Sequence, residues 1–180
     1  DDGRDQIKSV VRIQIKRAGS SYWCTGTLVN NTASDFAPLI LTADHCAGTF
    51  PGPYSSPDDV SRWIFYFNYE TPGCDNQAVS DNKSLTGAVK LARSSPAGNN
   101  GSDFYLVRLN EPVPAAYQPY YAGWTSSGAI SPSGVCIHHP GGDVKKISTY
   151  TDPLTLDQWG QTAETHYQVV WSETENGHGV

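Results

Sequence analysis

Apolar and polar residues alternate from Val10 to Lys16, with Val11, Ile13 and Ile15 on one side of the run and Arg12, Gln14 and Lys16 on the other. That period of two marks a half-buried β-strand. Similar short runs follow at Thr25 to Val29, Leu39 to Thr42, Trp63 to Tyr69, Ala88 to Ala92, Phe104 to Leu109, Val135 to His138 and Thr165 to Trp171. Turn formers separate them: Asn30-Asn31, Pro51-Gly52-Pro53, Pro72-Gly73, Gly98-Asn99-Asn100-Gly101 and Pro140-Gly141-Gly142. No segment keeps a helical period for three turns. The pattern predicts an all-β fold built from two barrels. Residues 1–115 are expected to form the first barrel, and residues 116–180 part of a second. Pro112-Val113-Pro114, within Asn110 to Tyr117, favours an extended crossing between them.

Composition narrows the class. The chain has 180 residues, of which 38% are hydrophobic and 17% charged, too apolar for disorder. Seventeen Gly, twelve Pro, ten Tyr and five Trp suit strands and turns. No apolar run approaches the roughly eighteen residues of a membrane-spanning helix, so no membrane partner is expected. Twelve basic against eighteen acidic residues leave a net charge of -6, without a Lys/Arg cluster beyond Lys145-Lys146. Phosphate binding needs concentrated positive charge, so no nucleic-acid partner is expected either. Cys24, Cys46, Cys74 and Cys136 lack C-x-x-C spacing, which argues against a zinc site and for disulfides in an oxidising compartment; unpaired buried thiols are the alternative. The chain begins at Asp1, without Met, as a processed or excised chain would.

Two local patterns carry chemistry. In Leu39-Ile-Leu-Thr-Ala-Asp-His45-Cys46 a strand runs into a small-residue turn and places His45 at a strand edge. A disulfide from Cys46 back to Cys24 would fix that turn, and a general base needs such rigidity. Fifty-eight residues later, Gly101-Ser-Asp103 precedes an apolar strand. A carboxylate buried beside an imidazole holds its tautomer and stabilises the imidazolium. His138-His139 invites a metal reading, but neighbours on a strand point to opposite faces, so no metal is expected there.

The stretches C-T-G-T-L-V, L-T-A-D-H-C and S-D-F-Y-L-V-R-L resemble the histidine and aspartate motifs of chymotrypsin-like serine proteases. LVNNTASD, FYFNYETPGC, YYAGW, IHHPGGDVKKIS and THYQVVW extend the likeness toward the bacterial lysyl-endopeptidase branch, from about Asp5 to Trp171. The resemblance implies a chymotrypsin-like double β-barrel and a secreted endopeptidase that cuts polypeptides after lysine or another basic residue, without a cofactor. It makes His45 the general base and Asp103 its orienting carboxylate. It also places Trp171 near the substrate cleft, where the ring could stack on a long P1 side chain; plain barrel packing is the other reading. A Cys24–Cys46 disulfide is the expected pairing.

One part of the pattern is missing. The family's nucleophile lies in a G-x-S-G turn, whose backbone N–H groups form the oxyanion hole. Here Thr125-Ser-Ser-Gly128 and Ser131-Pro-Ser-Gly134 both lack the leading glycine, and Ser133 follows Asp103 by only 30 residues. The expectation is therefore a nucleophilic serine on a segment after residue 180, carried by a second chain from the same precursor. A catalytically inactive homologue acting as a secreted binding module is the alternative. An exported adhesin with an accidental H-C turn fits less well, because the motifs agree in order and spacing.

Overall fold

The computed structural model describes residues 4–49, 51–73, 79, 83–94 and 101–172. Eleven strands among these residues form one seven-stranded sheet and two hairpins. In chain order the sheet contributes β1 (Val10–Arg17), β2 (Ser20–Val29), β3 (Leu39–Ala43), β4 (Ile64–Phe67), β5 (Ser84–Thr86), β6 (Ala88–Arg93) and β7 (Phe104–Leu109). Their spatial order is β5-β4-β1-β2-β3-β7-β6, all pairs antiparallel.

The two ends of that order, β5 and β6, are separated in sequence only by Gly87, so the sheet curls back on itself. Gly87 makes the bend with φ +89°, and a Cβ there would sit 2.7 Å from the Ser61 carbonyl oxygen. Only glycine meets both demands without strain. Inside the curl lie Val11, Ile13, Ile15, Leu28, Ile40, Trp63, Phe65, Phe67, Tyr105, Val107 and Leu109, all buried. The alternation seen at Val11, Ile13 and Ile15 is the inward face of β1. Three one-turn helices decorate the sheet: α1 (Arg4–Ile7), α2 (Asp44–Ala47) and α3 (Pro57–Val60). Ser56 and Asp59 cap α3 reciprocally, each side chain accepting from the other's backbone N–H, which stops fraying of so short a helix.

Beyond Asn110 the chain buries Val113 and makes a short 3-10 turn at Ala115–Tyr117. Two antiparallel hairpins follow: β8 (Gly134–His138) with β9 (Lys146–Tyr150), and β10 (Thr155–Trp159) with β11 (Thr162–Gln168). Val135, Ile147, Leu156 and Tyr167 stay exposed on them, and Val170 just after the second. This second unit is an incomplete barrel. Its last strand, β11, begins and ends three residues earlier than the expected run from Thr165 to Trp171, and β5, β9 and β10 add to the expected set. The Gly98 to Asn100 turn and Cys74 lie outside the described residues.

The hairpin loop after β8 is bolted to the first barrel. The Arg12 guanidinium lies 3.4 Å from the ring centre of Tyr69, 4.2 Å from Trp23 and 4.7 Å from Tyr66, and donates to the Gly142 carbonyl at 3.0 Å. Such cation–π stacking is strongest where water is excluded, and Arg12 is 6% exposed. Lys145, its ammonium buried, donates to the Ile7 carbonyl at 2.7 Å and pairs with Glu70 at 3.0 Å. Burial pulls the Lys145 ammonium below its usual range, while Glu70, despite burial, is held low by Lys145 and Lys8.

His139 completes the joint. It is 4% exposed, donates its backbone N–H to Thr25 Oγ1 at 2.9 Å, and its ring Nδ1–H to the Asp143 carbonyl at 2.9 Å. Burial pushes its pKa down from 6.5 to about 4. Between those values the unfolded chain binds the extra proton and the folded one does not. Stability contributed by neutral His139 is therefore complete above pH 6.5 and lost as pH falls toward 4, on the order of 3 kcal/mol. Urea unfolding of the wild type and of His139→Gln should show a steeper acid-side loss in the wild type. Parallel pH profiles would refute this.

Candidate active site

α2 is a single turn, and it carries His45 at the end of β3, on the rim of the curled sheet. Its start is fixed twice by the segment before β7: Asp44 N–H donates to the Asp103 carbonyl at 2.8 Å, and His45 N–H donates to Asp103 Oδ1 at 2.8 Å. The second carboxylate oxygen, Oδ2, accepts from His45 Nδ1 at 2.6 Å. Asp103 thus spends both oxygens on one residue. It does so from a left-handed backbone, φ +53°, which turns the carboxylate back toward α2. Aspartate tolerates that region better than most residues. The Asp103 side chain is 6% exposed and the His45 side chain 40%. Among the described residues nothing hydrogen-bonds His45 Nε2, and this outer nitrogen is not buried.

Covalent and ionic supports lie behind the turn. Cys24 of β2 and Cys46 of α2 form a disulfide with Cα atoms 6.3 Å apart. Thr42, just before the turn, donates to the Thr25 carbonyl at 2.7 Å. Asp44 is fully buried and pairs with Arg93 of β6 at 2.9 Å, while Tyr54 O–H donates to the same carboxylate oxygen at 3.4 Å. The Arg93 guanidinium also lies 3.9 Å from the Tyr54 ring centre. Arg17 of β1 reaches the His45 carbonyl at 3.5 Å.

The second unit contributes an indole. Trp159 meets the His45 ring edge-on, with centres 4.8 Å apart, and His166 also packs edge-on against Trp159, at 5.7 Å. A register shift between Asp157 and Trp159 breaks the β10–β11 ladder there, and such bulges re-aim a side chain. Sequence reading passed over Trp159, although the Gly160 turn that follows it, φ +81°, was an available hairpin signal. Trp171, the aromatic expected at the cleft, lies past the end of β11 and packs edge-on against Tyr150 at 6.4 Å. Ser131 and Ser133 sit in an exposed turn in which Ser131 O–H donates to the Ser133 carbonyl. Cys136 carries a free thiol among the described residues, pushed up by burial.

A curled antiparallel sheet, a partial second barrel and a His–Asp pair at the first barrel's rim define the chymotrypsin-like serine-protease fold. Protease Anisep from Arthrobacter nicotinovorans superposes with a TM-score of 0.58 at 17% identity, over 98% of this chain and 83% of that one. The thermostable serine protease AL20 from an extremophilic microorganism gives 0.58 at 11% identity, over 91% and 77%. Residues 1–179 match the family described as lysyl endopeptidase, C-terminal domain, and the chain belongs to that family. The lysyl endopeptidase of Pseudomonas aeruginosa is 34% identical over 135 residues, which are 72% of this chain and 26% of that relative's length. The chain therefore spans about a quarter of that relative.

Proposed function

We propose that the chain is the histidine- and aspartate-bearing part of an exported bacterial serine endopeptidase that cleaves polypeptides after lysine. The observation that carries the reading is the 2.6 Å contact from His45 Nδ1 to Asp103 with Nε2 left open. In that arrangement Nδ1 holds the ring proton, so Nε2 presents a lone pair. It takes the serine proton as the hydroxyl attacks the scissile carbonyl, then returns it to the leaving amine. Asp103 stays ionised and stabilises the imidazolium in between. Residues 1–115 are assigned to the first barrel and residues 116–180 to part of the second. The nucleophile is assigned to a segment after residue 180, since no G-x-S-G turn occurs in the 180 residues. The exposed apolar residues of the two hairpins are the surface such a segment, on the same or a cleaved chain, would cover. Trp171 is proposed as a wall for the lysine side chain, with its packing on Tyr150 as the competing role.

The test is a fluorophosphonate probe on the full-length protein, read on a denaturing gel and mapped by mass spectrometry. Label on a serine outside these 180 residues supports the proposal. Label within them would make a serine here the nucleophile and overturn its placement. Absence of label would favour the inactive, binding-only homologue.

A further inference from the structure

Asp44 is an unusual neighbour for a general base. It is a carboxylate with 0% exposure, one residue before His45, in the turn whose backbone Asp103 already holds. Two carboxylates and one imidazole therefore share four residues of helix and the segment docked on it. An ionised carboxylate this deep, left uncompensated, would raise the proton affinity of the adjacent ring. A ring that stays protonated at working pH cannot accept a proton.

We propose that the Asp44–Arg93 ion pair is the positioning and charge-balancing element of His45: Arg93 cancels the field of Asp44, so that the ring responds to Asp103 alone. The geometry supports both halves. Arg93 comes from β6, the strand next to β7, and its contact at 2.9 Å ties α2 to the sheet side that delivers Asp103. Tyr54 closes the cluster from the loop, donating to Asp44 while the guanidinium covers its ring. Burial raises the phenols of Tyr54 and Tyr105, and on both Asp44 and Arg93 act in opposite directions, the carboxylate upward and the guanidinium downward. Among the described residues, the other charged or titratable groups near the turn are Asp103 just before β7, Arg17 from β1, Tyr105 from β7 and His166, which packs on Trp159, from β11. None of these pairs with Arg93 in place of Asp44.

The functional value of this balance rests on the protease reading, but the coupling does not, and the experiment separates them. The His45 ring is titrated by nitrogen–proton NMR in the full-length protein, its signal assigned by loss in His45→Gln. Arg93→Met should move the His45 midpoint up by about one pH unit, a tenfold gain in proton affinity. Asp44→Asn should move it down, because Arg93 is then the uncompensated charge. The Asp44→Asn/Arg93→Met double variant should return it to within about 0.3 units of wild type. Shifts of the same sign, no shift in either single variant, or a double variant that fails to restore the midpoint would overturn the proposal. If Arg93→Met does not fold, the near-isosteric Asp44→Asn and the double variant carry the comparison. Failure of all three to fold would assign the pair to stability alone and refute the charge role. Probe labelling of the full-length protein is read independently, so loss of one result leaves the other standing.

Discussion

On the proposed function, Asp103→Asn should reduce turnover of a lysyl substrate by the full-length protein about 10⁴-fold while leaving KM within a few-fold. The reason lies in the two hydrogen bonds that Asp103 accepts, from His45 N–H and from His45 Nδ1–H. An asparagine has one accepting atom and one donating group in the same places. If its oxygen keeps the backbone bond, its NH₂ faces Nδ1 and that nitrogen must become an acceptor. The ring proton then moves to Nε2, the nitrogen that has to receive the serine proton. The variant should fold normally, because both contacts remain hydrogen bonds, so the loss is confined to kcat. A loss below tenfold would mean that His45 and Asp103 do not work as base and orienter.

Replacing both Cys24 and Cys46 by serine should lower stability by about 3 kcal/mol and the melting temperature by roughly 10 °C. The bridge closes a chain separation of 22 residues, and the loop-entropy relation gives that size. Cys46 is also buried against the core, so the introduced hydroxyls act in the same direction. The measurement is thermal unfolding of the double variant beside the wild type, both fully oxidised. A shift under about 2 °C would show that β2, β3 and the Thr42 bond hold the turn without the bridge.

How legible these features were depends on how local their cause is. β1 and β7 could be read because one face of each is buried in the curled sheet, which imprints a period of two on Val11, Ile13 and Ile15, and on Tyr105, Val107 and Leu109. The His45 turn could be read because strand, small residues and cysteine follow one another. β10 left no trace: all five of its residues are exposed, so nothing forces alternation. β5 is three residues long and gains its identity only from pairing with β4. The Asp44–Arg93 contact spans 49 residues and joins two motifs that look unrelated in sequence. Trp159 reaches His45 through a bulge, a device that hydrophobic patterning does not encode.

The strand pairing has a last consequence, for self-digestion. A protease that accepts lysine meets six lysines in its own 180 residues. Proteases take substrates as extended, unpaired strands, and each of these lysines is already committed elsewhere. Lys16, Lys90 and Lys146 lie in paired strands opposite Ser21, Val107 and His138. The Lys83 carbonyl accepts from Phe67 N–H, and Lys8 and Lys145 are held through Glu70. On the proposed function, autolysis after Lys16, Lys90 or Lys146 would have to wait for strands to separate, and after Lys8 or Lys145 for the contacts with Glu70 to open, so its rate would measure opening of the fold.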